Sequence, residues 1–229
     1  MQVFYSQEID GSQIYLTDQE ASHCTRVLRK KVGDQLFVID GKGHLFHCTF
    51  VNATRDRVEL NIDKTEVHPQ MEYRPQIAVG LLKNAGRIEW MIEKLVEIGI
   101  HSFIPLRTQR SERKVLKLER IQKVVIAAAK QSLCYHFPLI HEPLTLKEFL
   151  GIEHRQSRYI ASFHPNNFSL GDVVKKNEGC SMLIGPEGDF TEEEIKLAAD
   201  TGWEKVNLGQ TRLRTETAAI VACTLINHA

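Results

Sequence analysis

The chain has 229 residues, of which 42% are hydrophobic and 25% are charged, and its net charge is zero. This composition is typical of a folded globular protein and argues against a disordered chain. The longest apolar runs, such as Ile77–Leu82, are far shorter than the roughly 20 residues that a membrane-spanning helix needs. Because Met1–Asp10 has no basic region followed by an apolar one, we expect no secretory signal.

Charge and cysteines are unevenly distributed. Residues 71–135 hold 12 Lys and Arg against 6 Asp and Glu, a balance of +6, whereas residues 1–70 and 136–229 are net negative. Segregated charge can build a basic face on a neutral protein. The five cysteines are scattered and form no C-x-x-C pair. They therefore predict free, mostly buried thiols in the cytosol, with neither disulfides nor a metal site.

The first 70 residues are predicted to form a β-rich domain. The predicted strands are Gln2–Tyr5, Gln35–Ile39, His44–Val51 and Arg57–Ile62. One helix, Ala21–Leu28, is expected to interrupt them, with Thr17 and Glu20 as its capping box. A stretch with two prolines, residues 68–75, is the predicted linker. It divides the chain into domains of residues 1–70 and 71–229.

After the linker, strands alternate with helices. The predicted strands are Ile77–Leu82, Phe103–Leu106, Arg158–Phe163, Cys180–Ile184 and Lys205–Leu208. The predicted helices are Arg87–Ile98, ended by Gly99, Leu116–Leu133, Thr145–Leu150, Thr191–Thr201 and Thr215–Asn227. Two of these helices begin with a capping box, Thr145 with Glu148 and Thr191 with Glu194. The alternation predicts an α/β domain with a mostly parallel sheet covered by helices.

Two loops after predicted strands are candidates for a ligand site. Ligands of parallel sheets bind beyond the carboxyl ends of the strands. The first loop, Gly185–Phe190, has two glycines that allow close approach of the backbone, although an ordinary turn has the same features. The second loop carries Arg212 and Arg214, which suit an anion, before a helix for which Thr215 is the natural cap. The chain lacks the G-x-G-x-x-G and Gly-Lys-Ser/Thr phosphate loops, which argues against dinucleotide enzymes and NTPases.

The two loops resemble the paired motifs of one known family. Residues 183–190 (LIGPEGDF) and 208–218 (LGQTRLRTETA) are similar to the SPOUT class of RNA methyltransferases, and within it to the RsmE-type family. The segments 27–34 (VLRKKVGD), 40–43 (DGKG), 93–100 (EKLVEIGI), 104–106 (IPL) and 111–113 (SER) also match. The chain departs from the family at Asp189, where a glycine is usual, and in the segment 127–135 (AAAKQSLCY).

The resemblance implies S-adenosylmethionine-dependent methylation of N3 of a uridine in small-subunit (16S) ribosomal RNA. It implies an N-terminal PUA-like RNA-binding barrel, a deep trefoil knot in the C-terminal SPOUT domain, and a homodimer. It places the cofactor on three loops. The implied cofactor-binding residues are Ala161, Ser162, Ile184, Gly185, Pro186, Glu187, Gly188, Leu208, Gly209, Leu213, Arg214, Thr215 and Ala218.

The chemistry then requires removal of a proton from uridine N3 and stabilisation of the resulting negative charge. Glu187 and Arg214 are the candidate catalytic residues for these two roles, while Glu216 is better explained as a residue of the first helical turn. RNA phosphates are expected to meet two basic runs, although most charge runs are solvated faces. These runs comprise Arg26, Arg29, Lys30 and Lys31, and Arg107, Arg110, Arg113 and Lys114.

Three other functions stay open. A small-molecule α/β enzyme would have the same sheet, but it would not explain the N-terminal domain or the basic segment. A SPOUT enzyme that methylates the ribose 2′-oxygen would share the cofactor and differ in product. A ribosome-assembly protein that binds RNA without catalysis would have the same N-terminal domain, and the intact LRTETA motif argues against it. Failure to bind S-adenosylmethionine would favour it.

Overall fold

The computed structural model of the protein describes residues 1–70, 75–153, 156–164, 166–175 and 178–229. Residues 71–74, within the predicted linker, lie outside this set. Residue contacts divide the chain into two compact units. The first contains residues 1–70 together with 126–137, and the second contains residues 71–125 and 138–229. In the described part of the chain, no helix is long and apolar enough to cross a membrane.

The first unit is built on a six-stranded sheet with the order β1-β4-β5-β6-β3-β2. The strands are β1 Val3–Tyr5, β2 Glu8–Asp10, β3 Gln13–Thr17, β4 Gln35–Ile39, β5 His44–Ala53 and β6 Arg57–Val67. All neighbours are antiparallel except β1 and β4. One face buries a core that includes Phe4, Leu16 and Leu60. The predicted β-rich unit is confirmed, and β2 and β3 are strands that the sequence did not indicate.

The helix predicted in this unit begins earlier than expected. It consists of α1, Asp18–Ser22, followed by a π-helical turn over His23–Val27. Thr17 stands at the N-cap position but makes no capping hydrogen bond, so the predicted capping box is wrong. The reason is that Glu20 is used elsewhere: its carboxylate accepts from the backbone N–H of Tyr5 and from the Lys130 ammonium.

The second unit is an α/β layer structure with a parallel sheet of eight strands. The strands are β7 Gln76–Gly80, β8 Ser102–Arg107, β9 Leu139–Ile140, β10 Leu144–Thr145, β11 Ser157–Ala161, β12 Phe168–Ser169, β13 Cys180–Ile184 and β14 Glu204–Asn207. Their order is β10-β8-β7-β13-β11-β14-β12, and β9 pairs with β8. Every pairing is parallel, so the predicted mostly parallel sheet is confirmed.

Local signals set the ends of three of the helices that follow the linker. These helices are α2 Ala85–Ile98, α3 Leu118–Ser132, whose residues 126–132 belong to the first unit, α4 Leu146–Leu150, α5 Leu170–Val173, α6 Glu192–Asp200 and α7 Thr215–Asn227. The capping boxes of α4 and α6 are confirmed, as is the end of α2 at Gly99, whose φ of 99° suits glycine. The prediction that Thr215 caps α7 is wrong. Thr215 is the first residue of this helix, and Arg214 occupies the N-cap position without a side-chain hydrogen bond.

Candidate functional site

Three loops meet at one edge of the parallel sheet because the strands before them are neighbours. Strand β11 lies between β13 and β14, and all three point the same way. Their carboxyl ends are therefore adjacent, and the loops that follow Ile184, Ala161 and Asn207 surround one cavity of about 800 Å³. This volume is within the roughly 300–1,000 Å³ that is usual for small-ligand sites.

The cavity gathers most of the residues singled out from the sequence. Twelve of the thirteen implied cofactor-binding residues line it, including both candidate catalytic residues, and Gly209 is not among its described lining residues. Eight further residues complete the lining: Arg87, Arg110, Phe163, Asp189, Phe190, Val206, Thr211 and Arg212. Arg212 and Arg214 are both exposed at the surface.

Glycines allow the backbone of this site to pack tightly. A Cβ at Gly80, the last residue of β7, would lie 2.5 Å from Pro186 Cδ and 2.6 Å from Pro186 N. A Cβ at Gly185 would lie 2.7 Å from Asp189 Oδ1. Because real Cβ atoms do not approach backbone atoms this closely, glycine is required at Gly80, whereas a Cβ at Gly185 would make the Asp189 side chain and the loop backbone, 3.0 Å away at Asp189 Cα, shift. Gly80 was missed from the sequence, since only its contact partner, far along the chain, reveals its role.

Asp189 closes the first loop in a left-handed conformation, with φ of 60°. Its N–H donates to the carbonyl of Pro186 at 2.9 Å, and its Oδ1 accepts from the N–H of Phe190 at 2.8 Å. Aspartate tolerates this conformation better than most residues that have a Cβ. Asp189 therefore maintains the loop conformation at the position where a glycine is usual.

Arg87 joins two of the site's segments, and sequence analysis did not single it out. It lies in the first turns of α2, and its guanidinium donates to both carboxylate oxygens of Glu216, with Nε at 3.0 Å from Oε1. Its Nη1 donates to Glu187 Oε1 at 3.0 Å. Burial would raise the pKa of Glu216, but hydrogen bonds and charge from Arg87, together with Arg214, hold this pKa below its usual value. The Arg87 pKa is raised in turn, chiefly by the bond to Glu216.

Two arginines expected to bind RNA hold loops of the site. Arg110 Nη1 donates to the carbonyl of Gly188 at 2.7 Å and to that of Phe190 at 3.3 Å. Arg113 donates through two nitrogens to the carbonyl of Lys83. Both arginines thus donate to neutral backbone carbonyls, and Arg110 is also close enough to Glu193 to help lower the pKa of that carboxyl, after the hydrogen bonds at Glu193 and Thr191.

The remaining predicted RNA-binding residues are mostly exposed. Arg107 is 3.7 Å from Glu148, and Lys114 lies in the loop before α3. In the first unit, Arg26 is in the π-helical turn, Arg29 has φ of 53°, and both are exposed, as is Lys31. Lys30 is half-buried, with Nζ 3.4 Å from the carbonyl of Gln35.

Asn207 anchors the loop after β11. Its Nδ2 donates to the carbonyls of His164, at 2.6 Å, and Asn167, at 3.1 Å, and its Oδ1 accepts from the N–H of His164. Asn167 in turn donates to the carbonyl of Ser162 at 2.6 Å. These amides were missed because nothing local in the sequence separates them from ordinary loop residues.

No group of His, Cys, Asp and Glu in the described ranges could hold a metal ion. His44 and His47 have different partners, Asp40 at 2.6 Å and Glu66 at 3.0 Å. Four of the five cysteines are buried, and burial raises the pKa of Cys24 to about 11 and those of Cys48, Cys180 and Cys223 to about 12. Buried cysteines whose thiols stay protonated act as small apolar residues of the core.

Comparison with known proteins agrees with this arrangement. The profile of the RNA methyltransferase domain family matches residues 69–227, and that of the RNA methyltransferase PUA domain matches residues 16–63. A protein of Synechocystis named ribosomal RNA small subunit methyltransferase E is 30% identical over 96% of this chain and 75% of its own length.

Two solved structures are similar throughout. A probable rRNA-methyltransferase from Porphyromonas gingivalis has a TM-score of 0.90 and 35% identity, covering 100% of this chain and 98% of that one. The ribosomal RNA small subunit methyltransferase E of Neisseria gonorrhoeae, bound to S-adenosyl methionine, has a TM-score of 0.89 and 26% identity, covering 100% and 97%. The chain, with its PUA domain and its three-loop cavity, belongs to the ribosomal RNA small subunit methyltransferase E family of RNA methyltransferases.

Proposed function

We propose that this protein transfers a methyl group from S-adenosylmethionine to N3 of a uridine in small-subunit (16S) ribosomal RNA. The observation that carries the proposal is the cavity where the loops after β11, β13 and β14 meet, with Arg212 and Arg214 exposed at its surface. A deep cavity suits a cofactor, and exposed arginines suit a polyanionic substrate. The names of the relatives support methylation of small-subunit ribosomal RNA, and the Neisseria gonorrhoeae protein supports S-adenosylmethionine as the cofactor.

The residues of the cavity fit the cofactor. Its walls include the buried residues Ile184, Gly185 and Pro186, and glycines let the backbone approach a ligand closely. The residues that would hold the cofactor are those of the segments 161–162, 184–188, 208–209 and 213–215, together with Ala218. When bound, S-adenosylmethionine supplies an electrophilic methyl group, and the task of the chain is alignment and electrostatics.

Glu187 and Arg214 are the proposed catalytic residues. Uridine N3 carries a proton at neutral pH, and Glu187 is the proposed acceptor of that proton. Its carboxylate is oriented beforehand by Arg87 Nη1 at 3.0 Å and by the N–H of Lys83 at 3.3 Å. Arg214 would stabilise the negative charge that develops on the uracil oxygen, because a guanidinium donates to oxygen in a fixed geometry.

RNA binding is the proposed role of the N-terminal domain, taken as residues 1–70 before a catalytic domain of residues 71–229. Arg26, Arg29, Lys30 and Lys31 would contact phosphates there. Arg107, Arg110, Arg113 and Lys114 would do so in the second domain. We also propose a cytoplasmic homodimer with a trefoil knot around the cofactor loops, which light scattering and a crystallographic chain trace would test.

Methyl transfer can be tested directly. The purified protein is incubated with methyl-labelled S-adenosylmethionine and either naked 16S RNA or small subunits from cells that lack the enzyme. We expect label in RNA from at least one of these substrates, and cofactor binding by calorimetry. If no label enters RNA and no cofactor binds, the proposal is overturned, and an RNA-binding assembly protein is favoured instead.

A further inference from the structure

Phe163 is an exposed aromatic residue at the site. Phe163 is among the residues that line the cavity, and it is 50% exposed. The other phenylalanine of the lining, Phe190, is 3% exposed and belongs to the hydrophobic core. Single exposed apolar side chains are common on protein surfaces, but a half-exposed ring that lines a ligand cavity offers apolar area that an occupant of the cavity can bury.

The exposure of Phe163 does not come from a loosely held loop. On one side, the N–H of Ser162 donates to the carbonyl of Val206 at 3.0 Å. On the other side, His164 exchanges two hydrogen bonds with the side chain of Asn207, at 3.0 and 2.6 Å. The backbone is therefore fixed immediately before and after the ring, which makes Phe163 a pre-organised surface.

The charged residues that line the cavity indicate which kind of ligand would contact Phe163. Its lining also includes the exposed Arg212 and Arg214, which suit phosphate groups. An aromatic face combined with guanidinium groups is the arrangement that binds an unstacked nucleotide, with the base on the ring and the phosphate on the arginines. A base that is to be methylated at N3 must leave its pairing, because that atom lies on the Watson–Crick edge.

We propose that Phe163 is a specificity-determining residue that stacks on an unpaired nucleobase of the RNA substrate, the target uracil or its neighbour, while Arg212 holds an adjacent phosphate. This inference rests on the proposed function and adds a contact for the substrate. The cofactor adenine is the competing occupant of the ring, and a second copy of the chain is another. The experiment separates these occupants.

The test compares Phe163→Ala, Phe163→Leu and Phe163→Tyr with wild type in RNA methylation, cofactor calorimetry and light scattering. Loss of one stacking contact lowers kcat/KM for RNA about tenfold to a hundredfold in Phe163→Ala. Phe163→Leu, which keeps apolar area without a π face, remains impaired, and Phe163→Tyr restores most of the activity. Cofactor affinity and oligomeric state stay unchanged. Phe168→Ala is the matched control, since Phe168 is 73% exposed and is not among the described lining residues.

Several results would overturn the inference. Unchanged RNA kinetics in Phe163→Ala, or full activity in Phe163→Leu, would exclude stacking on a base. A parallel loss of cofactor affinity would assign the ring to the adenine, and an altered oligomeric state would assign it to a second copy. If wild type itself transfers no methyl group, the proposed function fails; if wild type is active and Phe163→Ala equals it, only this inference fails.

Discussion

The guanidinium of Arg87 donates to both carboxylate oxygens of Glu216, a residue 129 positions further along the chain and only 7% exposed. The same guanidinium donates to Glu187 in the loop after β13. Three separate segments of the site, the start of α2, the β13 loop and the start of α7, are thus held by one side chain. Because Glu216 is buried, its charge depends on this partner.

We expect Arg87→Ala to destabilise the protein by about 1–3 kcal/mol, a value discounted because the Arg87 side chain is 31% exposed. Cofactor affinity should fall about tenfold, since the β13 loop must then be ordered on binding. Urea denaturation and calorimetry measure these effects. The matched control is Arg120→Ala, which removes a 68% exposed arginine from its pair with the half-buried Glu89 and should cost about 1 kcal/mol or less. Equal losses in the two variants would contradict a special role for Arg87.

The same pair predicts a dependence of stability on pH. The folded pKa of Glu216 lies below its ordinary value of 4.5: burial alone would raise it, and the bonds from Arg87 outweigh burial. A carboxyl with a lowered folded pKa stabilises the protein above its unfolded pKa, and this contribution is lost as the pH falls through the folded value. The stability difference between wild type and Glu216→Gln should therefore shrink below about pH 4.5. A difference that stays constant down to pH 3, or that equals that of the exposed control Glu119→Gln, would be inconsistent with this linkage.

Asp189 provides a test of the loop conformation. At its φ of 60°, alanine should cost about 1 kcal/mol or more, because it lacks the side-chain oxygen that accepts from the N–H of Phe190 and that lets aspartate tolerate the left-handed region. Asp189→Gly loses the same hydrogen bond, but glycine adopts the left-handed conformation freely. Its thermal unfolding midpoint should therefore be close to that of wild type. The reverse order, with alanine more stable than glycine, would show that the loop adopts another conformation.

The proposed role of Arg214 predicts a loss in the chemical step. Arg214→Gln should lower kcat about a hundredfold or more under saturating RNA and cofactor, as removal of one charge-stabilising donor does. Cofactor affinity, measured by calorimetry, should change much less. The neighbouring Arg212→Gln serves as the comparison and should act mainly on KM for RNA. If Arg214→Gln changes only KM, Arg214 binds substrate without taking part in catalysis.

The basic run of the N-terminal domain predicts a change in salt dependence. Each phosphate contact contributes about 0.7–0.9 to the slope of log affinity against log salt. Replacing Arg26, Arg29 and Lys31 together by alanine should lower that slope by about 2–3. Filter binding of 16S RNA at several salt concentrations measures it. An unchanged slope would place the RNA elsewhere; Lys196→Ala, an exposed residue of α6, controls for general charge loss.

Local signals in the sequence were sufficient for part of this structure. The capping box of Thr191 and Glu194 and the left-handed glycine at Gly99 need only near neighbours, and both predictions are confirmed. The Thr17 capping box is wrong because Glu20 pairs with Lys130, which lies 110 residues away. Glu20 can bond either to the local helix start or to a distant residue, and its sequence neighbours do not indicate which bond forms.

The site shows the same division. The Gly185 and Leu208 segments were identified by the resemblance of the two loops to the paired motifs of one family, because the residue types of the first loop alone also suit an ordinary turn. Arg87 and Asn207 were missed: each is an ordinary polar residue until the fold brings its partners together, at separations of 100 and 129 residues for Arg87 and of 40 and 43 for Asn207. The short strand β2, whose three residues are all exposed, likewise lacks an apolar pattern.

Identification of the methylated nucleoside tests the central claim most directly. Small subunits from cells lacking the enzyme are treated with the protein and labelled S-adenosylmethionine, and the RNA is digested and separated by chromatography with mass detection. We predict that the label is found in N3-methyluridine and that Arg214→Gln strongly reduces it. Label in a 2′-O-methyl nucleoside would contradict the proposed product, and no label in any nucleoside would contradict the enzymatic function itself.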